Sequence, residues 1–215
     1  MKLVYYDGMF SLDYLFYIIP ALVVAMAFHE AMHAFTAHWL GDATASDEGR
    51  LTLNPLAHID PYMTIALPAV LLLLGLPPIL AAKPVPFNPY RVRYDEFGAA
   101  LVGIAGPLTN LVLAGATAGL LRLVNFPEVV STFLVIFCVL NVALFVFNML
   151  PIPPLDGSRL LYAVAPEPLQ RVMRQIEGMG FMFLIVILIL LLPVLQPILV
   201  TANETLLKLL LGWAT

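Results

Sequence analysis

Within the apolar run that opens this 215-residue chain, Phe28-His29-Glu30-Ala31-Met32-His33 sets two imidazoles four positions apart, with a carboxylate beside the first. On a helix, residues i and i+4 share a face about one turn apart, so both rings can bind one metal ion while Glu30 stands next to it. The pairing suits hydrolysis, because zinc held by imidazoles lowers the pKa of a water and a neighbouring carboxylate can take the proton. Its location sharpens the case. An ionisable side chain at the centre of a membrane span costs about 2.5 to 3.5 kcal/mol even on lenient insertion scales. His29, Glu30 and His33 all need compensation, and metal binding supplies it. A polar helix face packed against other helices is the competing reading.

A hydrolytic zinc site usually has three protein ligands and an open position. The third ligand must come from elsewhere in the chain, which offers His38, Asp42, Asp47, Glu48, His58, Asp60, Asp95, Glu96 and Asp156. His38 lies five positions beyond His33 and is rotated off the ligand face. His58 could approach from a loop, either as a ligand or as a nearby polar contact. Asp156 is the best placed, in Asn148-Met149-Leu150-Pro151-Ile152-Pro153-Pro154-Leu155-Asp156-Gly157. The prolines break the helix and Gly157 permits a tight turn, so the carboxylate can point back into a bundle. Asp-Gly taken alone is also a common turn signal.

The elements that must position these residues are set by composition. Hydrophobic residues make up 61% of the chain and charged residues 11%, against about 25% charged in a soluble domain. Mean hydropathy is +0.95. Apolar runs cover Leu12 to Leu40, Tyr62 to Leu80, Gly98 to Val124, Val129 to Leu150, Phe181 to Leu192 and Ile198 to Trp213. A bilayer-crossing helix needs about 20 such residues. The expected fold is therefore an all-α polytopic membrane protein, a bundle of about five to six transmembrane or re-entrant helices in a single domain over 1–215. Asp7 and Asp13 against Lys2 give the N-terminus the wrong charge for a cleaved leader. The single Cys138 excludes an internal disulfide and a multi-cysteine metal site. Net charge of −4 without a basic cluster argues against a nucleic-acid partner.

Between the runs, Ala81 to Glu96 reads as an extended or β-like, membrane-associated connector, since Pro84, Pro86 and Pro89 exclude regular helix. Alternation around Val85, Phe87 and Val92 suggests an edge on which an unwound substrate strand could pair. Pro151 to Pro168 reads as a second irregular connector. Lys83, Arg91 and Arg93 lie in the first, and Arg159, Arg171 and Arg174 follow the fourth run, which places both connectors on the cytoplasmic side. For the first run to end on that side too, Tyr62 to Leu80 must be re-entrant or interfacial.

With these residues in view, the chain resembles the site-2 protease family of intramembrane zinc metalloproteases, in its compact form without PDZ or CBS domains. The resemblance rests on HEAMH at His29 to His33, on AGPLTN at Ala105 to Asn110, and on NMLPIPPLDG at Asn148 to Gly157. It implies that His29, His33 and Asp156 bind one zinc ion, that Glu30 is the catalytic base, and that Asn148 and Asn110 hold the substrate strand or assist at the oxyanion. It further implies regulated cleavage of transmembrane proteins in the cytoplasmic membrane of a bacterium or archaeon, with a regulatory membrane protein or a homo-oligomer as further partner. A transporter lined by the same polar residues is the alternative from another class.

Overall fold

The computed structural model describes residues 12–58 and 84–212; the side chains of 12–14 and 181–182 are not among what it describes. The apolar run expected at Tyr62 to Leu80, the candidate Asp60 and the start of the first connector lie outside the described residues. In chain order the helices are α1 (Leu12–Trp39), the short α2 (Thr44–Asp47), a 3-10 turn (Pro55–His58), α3 (Asp95–Leu123), α4 (Glu128–Asn148), α5 (Gly157–Val164), α6 (Glu167–Gly178) and α7 (Phe181–Leu211). Among the described residues there is no strand. Among the described residues, four helices are long and apolar enough to cross a bilayer: Leu15–Trp39, Asp95–Leu123, Glu128–Asn148 and Phe183–Leu211. The all-helical membrane bundle expected from composition is what the chain forms.

Lipid tails are as apolar as leucine, so helices in a bilayer associate by close packing of small residues and by hydrogen bonds. On α1, Ala21, Ala25, His29, His33 and Ala37 recur every four residues and are all buried. The two imidazoles thus occupy two rungs of a ladder otherwise made of methyl groups. It faces α3, which meets α1, α4 and α5 and is the central helix of the bundle. α3 answers with Ala99, Gly103, Gly106, Ala114 and Ala118, also buried. From α4, Ile136 and Phe137 pack on Ala21 and Ala25, while Cys138, Val142 and Val146 pack on Ala114, Ala118 and Leu207.

Two expectations are corrected. The apolar runs expected at Phe181 to Leu192 and Ile198 to Trp213 join, as far as Leu211, in one helix, α7, that runs through Pro193 and Pro197. Each proline removes one backbone donor, which a long apolar helix in lipid tolerates better than an exposed irregular link that would leave several groups unpaired. The stretch Pro151 to Pro168 is irregular only as far as Asp156; α5 and α6 follow. A Cβ at Gly157 would collide with the Met149 carbonyl, so its absence lets α5 fold back against the end of α4. Leu150 and Leu155 close this turn against Leu184 of α7.

The connector 84–94 is irregular and tied to the end of α1: the Arg93 N–H donates to the Leu40 carbonyl at 2.8 Å, and the Asn88 N–H to the Asp42 carboxylate at 2.6 Å. Tyr94, at φ 72, turns it into α3.

Candidate metal centre and catalytic site

Three donor atoms converge between α1 and the turn after α4. His29 Nε2 lies 3.1 Å from Asp156 Oδ2 and His33 Nε2 lies 3.4 Å from it. The two Nε2 atoms are 3.1 Å apart. Both imidazoles are buried and Asp156 is partly so. Helical spacing supplies the first pair; the back-folded Leu155-Asp156-Gly157 turn supplies the third.

The other ring nitrogens explain why this cluster suits a cation. His33 Nδ1 bonds to the Val102 carbonyl at 2.7 Å, and His29 Nδ1 to Asn110 Oδ1 at 2.5 Å. Both partners can only accept, so each Nδ1 carries the proton and each neutral ring turns an Nε2 lone pair inward. Two lone pairs and a carboxylate oxygen then face one another across about 3 Å, which calls for a positive charge among them. Four ligands at about 2.0–2.1 Å from a tetrahedral zinc stand about 3.3 Å apart, so the donor triangle matches one face of such a site. Gly106 leaves room for it: a Cβ there would stand 2.7 Å from His29 Nε2 and closer still to His33 Nε2. The residues fit zinc.

Beside the triangle a cavity of about 460 Å³ opens, lined by His29, Glu30, His33 and Asp156 together with Pro84 to Phe87, Phe147, Asn148, Arg159 and, from α7, Leu184, Ile185 and Leu188. Glu30 faces it and accepts a hydrogen bond from the Val85 N–H at 3.0 Å. Asn148 lines it too, with one amide hydrogen donated to the Leu144 carbonyl at 3.0 Å. Arg159 sits in its wall, 5.4 Å from the Phe87 ring centre, 5.3 Å from that of Tyr162, and 3.1 Å from Glu177. Gly103 gives the Arg159 stem its passage, since a Cβ there would lie 2.7 Å from Arg159 Cβ.

Two expected residues stand elsewhere. Asn110 is not in the cavity wall; it is wholly buried behind His29, donating to the Ala25 carbonyl at 3.3 Å and to Asn141 Oδ1 at 2.8 Å. His58 is buried in the 3-10 turn, bonded through Nε2 to the Thr52 carbonyl at 2.9 Å, and takes no part in the metal cluster or the cavity lining. Sequence reasoning also missed the site roles of Arg159 and Asn141, and it read Val85 as part of a substrate-pairing edge, not as a donor to Glu30. Arg159 carries a faint signal, since it lies one helical turn beyond Asp156; Asn141 carries none.

Comparison with known proteins agrees with this chemistry. The sequence pattern of peptidase family M50 matches residues 124–192. The chain is 37% identical over 204 residues to YwhC of Bacillus subtilis strain 168, across 90% of both chains. It is 33% identical over 189 residues to Rip2 of Mycolicibacterium smegmatis, covering 86% of this chain and 69% of that one. Rip2 of Mycobacterium tuberculosis strain H37Rv is 30% identical over 184 residues, covering 85% and 68%. All three are named as inferred zinc metalloproteases. No solved structure matches the chain.

Proposed function

Since the chain belongs to peptidase family M50, the site-2 protease family, and is a zinc metalloprotease with membrane-spanning helices, we propose that it hydrolyses peptide bonds in or beside transmembrane segments of other membrane proteins. The observation that carries the proposal is the donor triangle of His29, His33 and Asp156, which opens on a cavity walled largely by apolar residues of α4 and α7. A soluble peptide would have to leave water to enter such a wall; a membrane-embedded one is already at home there.

In this reading His29, His33 and Asp156 hold one zinc ion. The ion would lower the pKa of a water toward about 7 and polarise the scissile carbonyl. Glu30 takes a proton from water and returns it to the leaving amine, so one carboxylate serves both halves of the reaction. The Val85 N–H, donating to Glu30 Oε2, fixes the direction in which that carboxylate faces. Asn148 keeps a second amide hydrogen beyond the one given to Leu144, and that hydrogen is available to a substrate carbonyl or a developing oxyanion. Asn110, by contrast, acts through His29. A substrate helix hides its carbonyls in internal hydrogen bonds and must unwind locally before attack.

The chain acts as one domain, 1–215, within a multi-pass cytoplasmic membrane protein of a bacterium or archaeon. The basic connectors put the open end of the site toward the cytoplasm. A regulatory membrane protein or a second copy of the chain controls substrate delivery in regulated intramembrane proteolysis. The test is Glu30→Gln assayed on a model transmembrane substrate together with zinc analysis. Loss of cleavage with zinc retained supports the reading; undiminished cleavage sinks it.

A further inference from the structure

Asn141 is the one polar side chain that is wholly buried in the middle of α4, and nothing in the proteolytic chemistry above uses it. A side-chain amide in a span must find partners, because lipid offers none. Its partners form a directed chain across three helices. Asn141 Nδ2 donates to the Phe137 carbonyl at 2.8 Å. Its Oδ1 accepts from Asn110 Nδ2 at 2.8 Å, and Asn110 Oδ1 in turn meets His29 Nδ1.

We propose that Asn141 is a positioning residue of the metal centre, fixing the Asn110 amide so that His29 presents Nε2 rather than Nδ1 to the metal. The inference rests on the reading of His29 as a zinc ligand. A backbone carbonyl can only accept, so the Phe137 oxygen compels Asn141 to turn its NH2 group toward it. That leaves Asn141 Oδ1 facing Asn110, which must then offer its own NH2. Asn110 Oδ1 is thereby directed at His29, where it can be satisfied only by an Nδ1–H. With the Asn110 amide reversed, its NH2 would face His29, Nδ1 would have to accept, and the proton would move to Nε2 and block the metal. The Ala25 carbonyl also accepts from Asn110 Nδ2, but at 3.3 Å it is the longer of the two contacts. Asn141 therefore supplies the firmer constraint. A backbone oxygen on α4 thus bears on a tautomer on α1 by way of two amides, with the Ala25 carbonyl acting in the same sense.

The test uses the full chain in lipid nanodiscs. Asn141→Leu keeps the size and removes the relay; zinc affinity, measured by competition with a chromophoric chelator, should fall about 10- to 100-fold, as for other groups that orient a metal ligand. The visible spectrum of the cobalt-substituted protein should shift with it. Asn141→Asp is the conservative rescue. An acid at this depth stays protonated, donates to Phe137 and accepts from Asn110, so its affinity should stay within about threefold of wild type. Unfolding temperatures of the metal-free proteins separate a packing role, which would lower them without moving the affinity of folded protein. Asn141→Leu with wild-type affinity, or equal losses in the Leu and Asp variants, overturns the proposal. His33→Ala is the control for the underlying reading, since wild-type zinc binding in that variant would overturn the metal site itself. Should Asn141→Leu fail to fold, nitrogen NMR of the zinc-loaded wild type decides the matter: His29 coordinated through Nε2 with Nδ1 protonated supports the relay, and coordination through Nδ1 refutes it.

Discussion

The backbone N–H of Val85 donates to Glu30 Oε2 at 3.0 Å, which joins the proline-rich connector to the carboxylate between the two imidazoles. Hydrogen bonds to charged groups contribute about 1.5–3 kcal/mol, enough to set the direction of a side chain. Val85→Pro removes that donor in a segment already flanked by Pro84 and Pro86. Turnover on a transmembrane substrate should fall about ten- to hundredfold while zinc content stays at one per chain. Unchanged turnover would show that Glu30 is oriented by something else.

Gly106 is the counterpart on α3, where the space needed by the metal is made by a missing side chain. Gly106→Ala should place a methyl group among the donors and weaken zinc binding by more than about tenfold, with the helices still formed. Metal analysis after dialysis, alongside circular dichroism, checks both halves. Full zinc occupancy in the variant would mean that the donors close around the ion differently from the arrangement described.

Arg159 holds three segments together through its ion pair with Glu177 and its position over Phe87 and Tyr162. Arg159→Ala should lower the unfolding temperature and raise KM, because Phe87 loses the cation that it packs on. Arg159→Lys should recover less than half of the loss, since an ammonium can pair with Glu177 but lacks the flat face that stacks. In a double-mutant cycle with Glu177→Ala, the two losses should fail to add by roughly 0.5–3 kcal/mol. Simple additivity would remove the clamp.

Asp42 gives the fold an acid limit. It is buried, and burial alone would raise its pKa. Hydrogen bonds from the Thr44 hydroxyl and from the backbone N–H groups of Asn88 and Thr44, with the charge of Arg91, outweigh burial and lower it. A depressed folded pKa means that the anion stabilises the fold at neutral pH. That contribution is lost as pH falls below about 4, the unfolded value, and through the lower folded one. The unfolding temperature of wild type should therefore drop more steeply than that of Asp42→Asn between about pH 5 and pH 3. Parallel curves would clear Asp42 of the role.

The contacts Arg93 to Leu40 and Asn88 to Asp42 also fix sidedness. Cysteines introduced at Asp47 and at Tyr90, both exposed, should react with an impermeant reagent from one face of the membrane only. Cys138 is buried and supplies no background. Labelling from opposite faces would contradict the shared end of α1 and the connector.

How much of this was legible in the sequence depends on the range of the signal. His29 and His33 are four apart on one helix, so their spacing states their geometry. Asp156 lies more than a hundred positions away; the prolines and Gly157 around it made it the best-placed third ligand, but most of the support came from resemblance to a known motif. Asn110 sits in an equally recognisable motif, yet its direction depends on whether α3 presents it to the cavity or to α1, which no spacing reveals. Asn141 was invisible for the opposite reason: a lone amide in an apolar run reads as generic contact between helices. The continuity of α7 through Pro193 and Pro197 was hidden because proline is a helix breaker in water and a tolerated guest in lipid.

Gly103 and Gly106 have a consequence for genetics. Neither has a side chain to donate, accept or carry charge, and a catalogue of variants scored by chemical function would pass over both. Yet any side chain added at these two positions, one helical turn apart, enters the space of Arg159 or of the imidazoles. Missense changes there should behave like loss of a ligand, and a mutational scan of α3 would show two intolerant positions with no functional group to account for them.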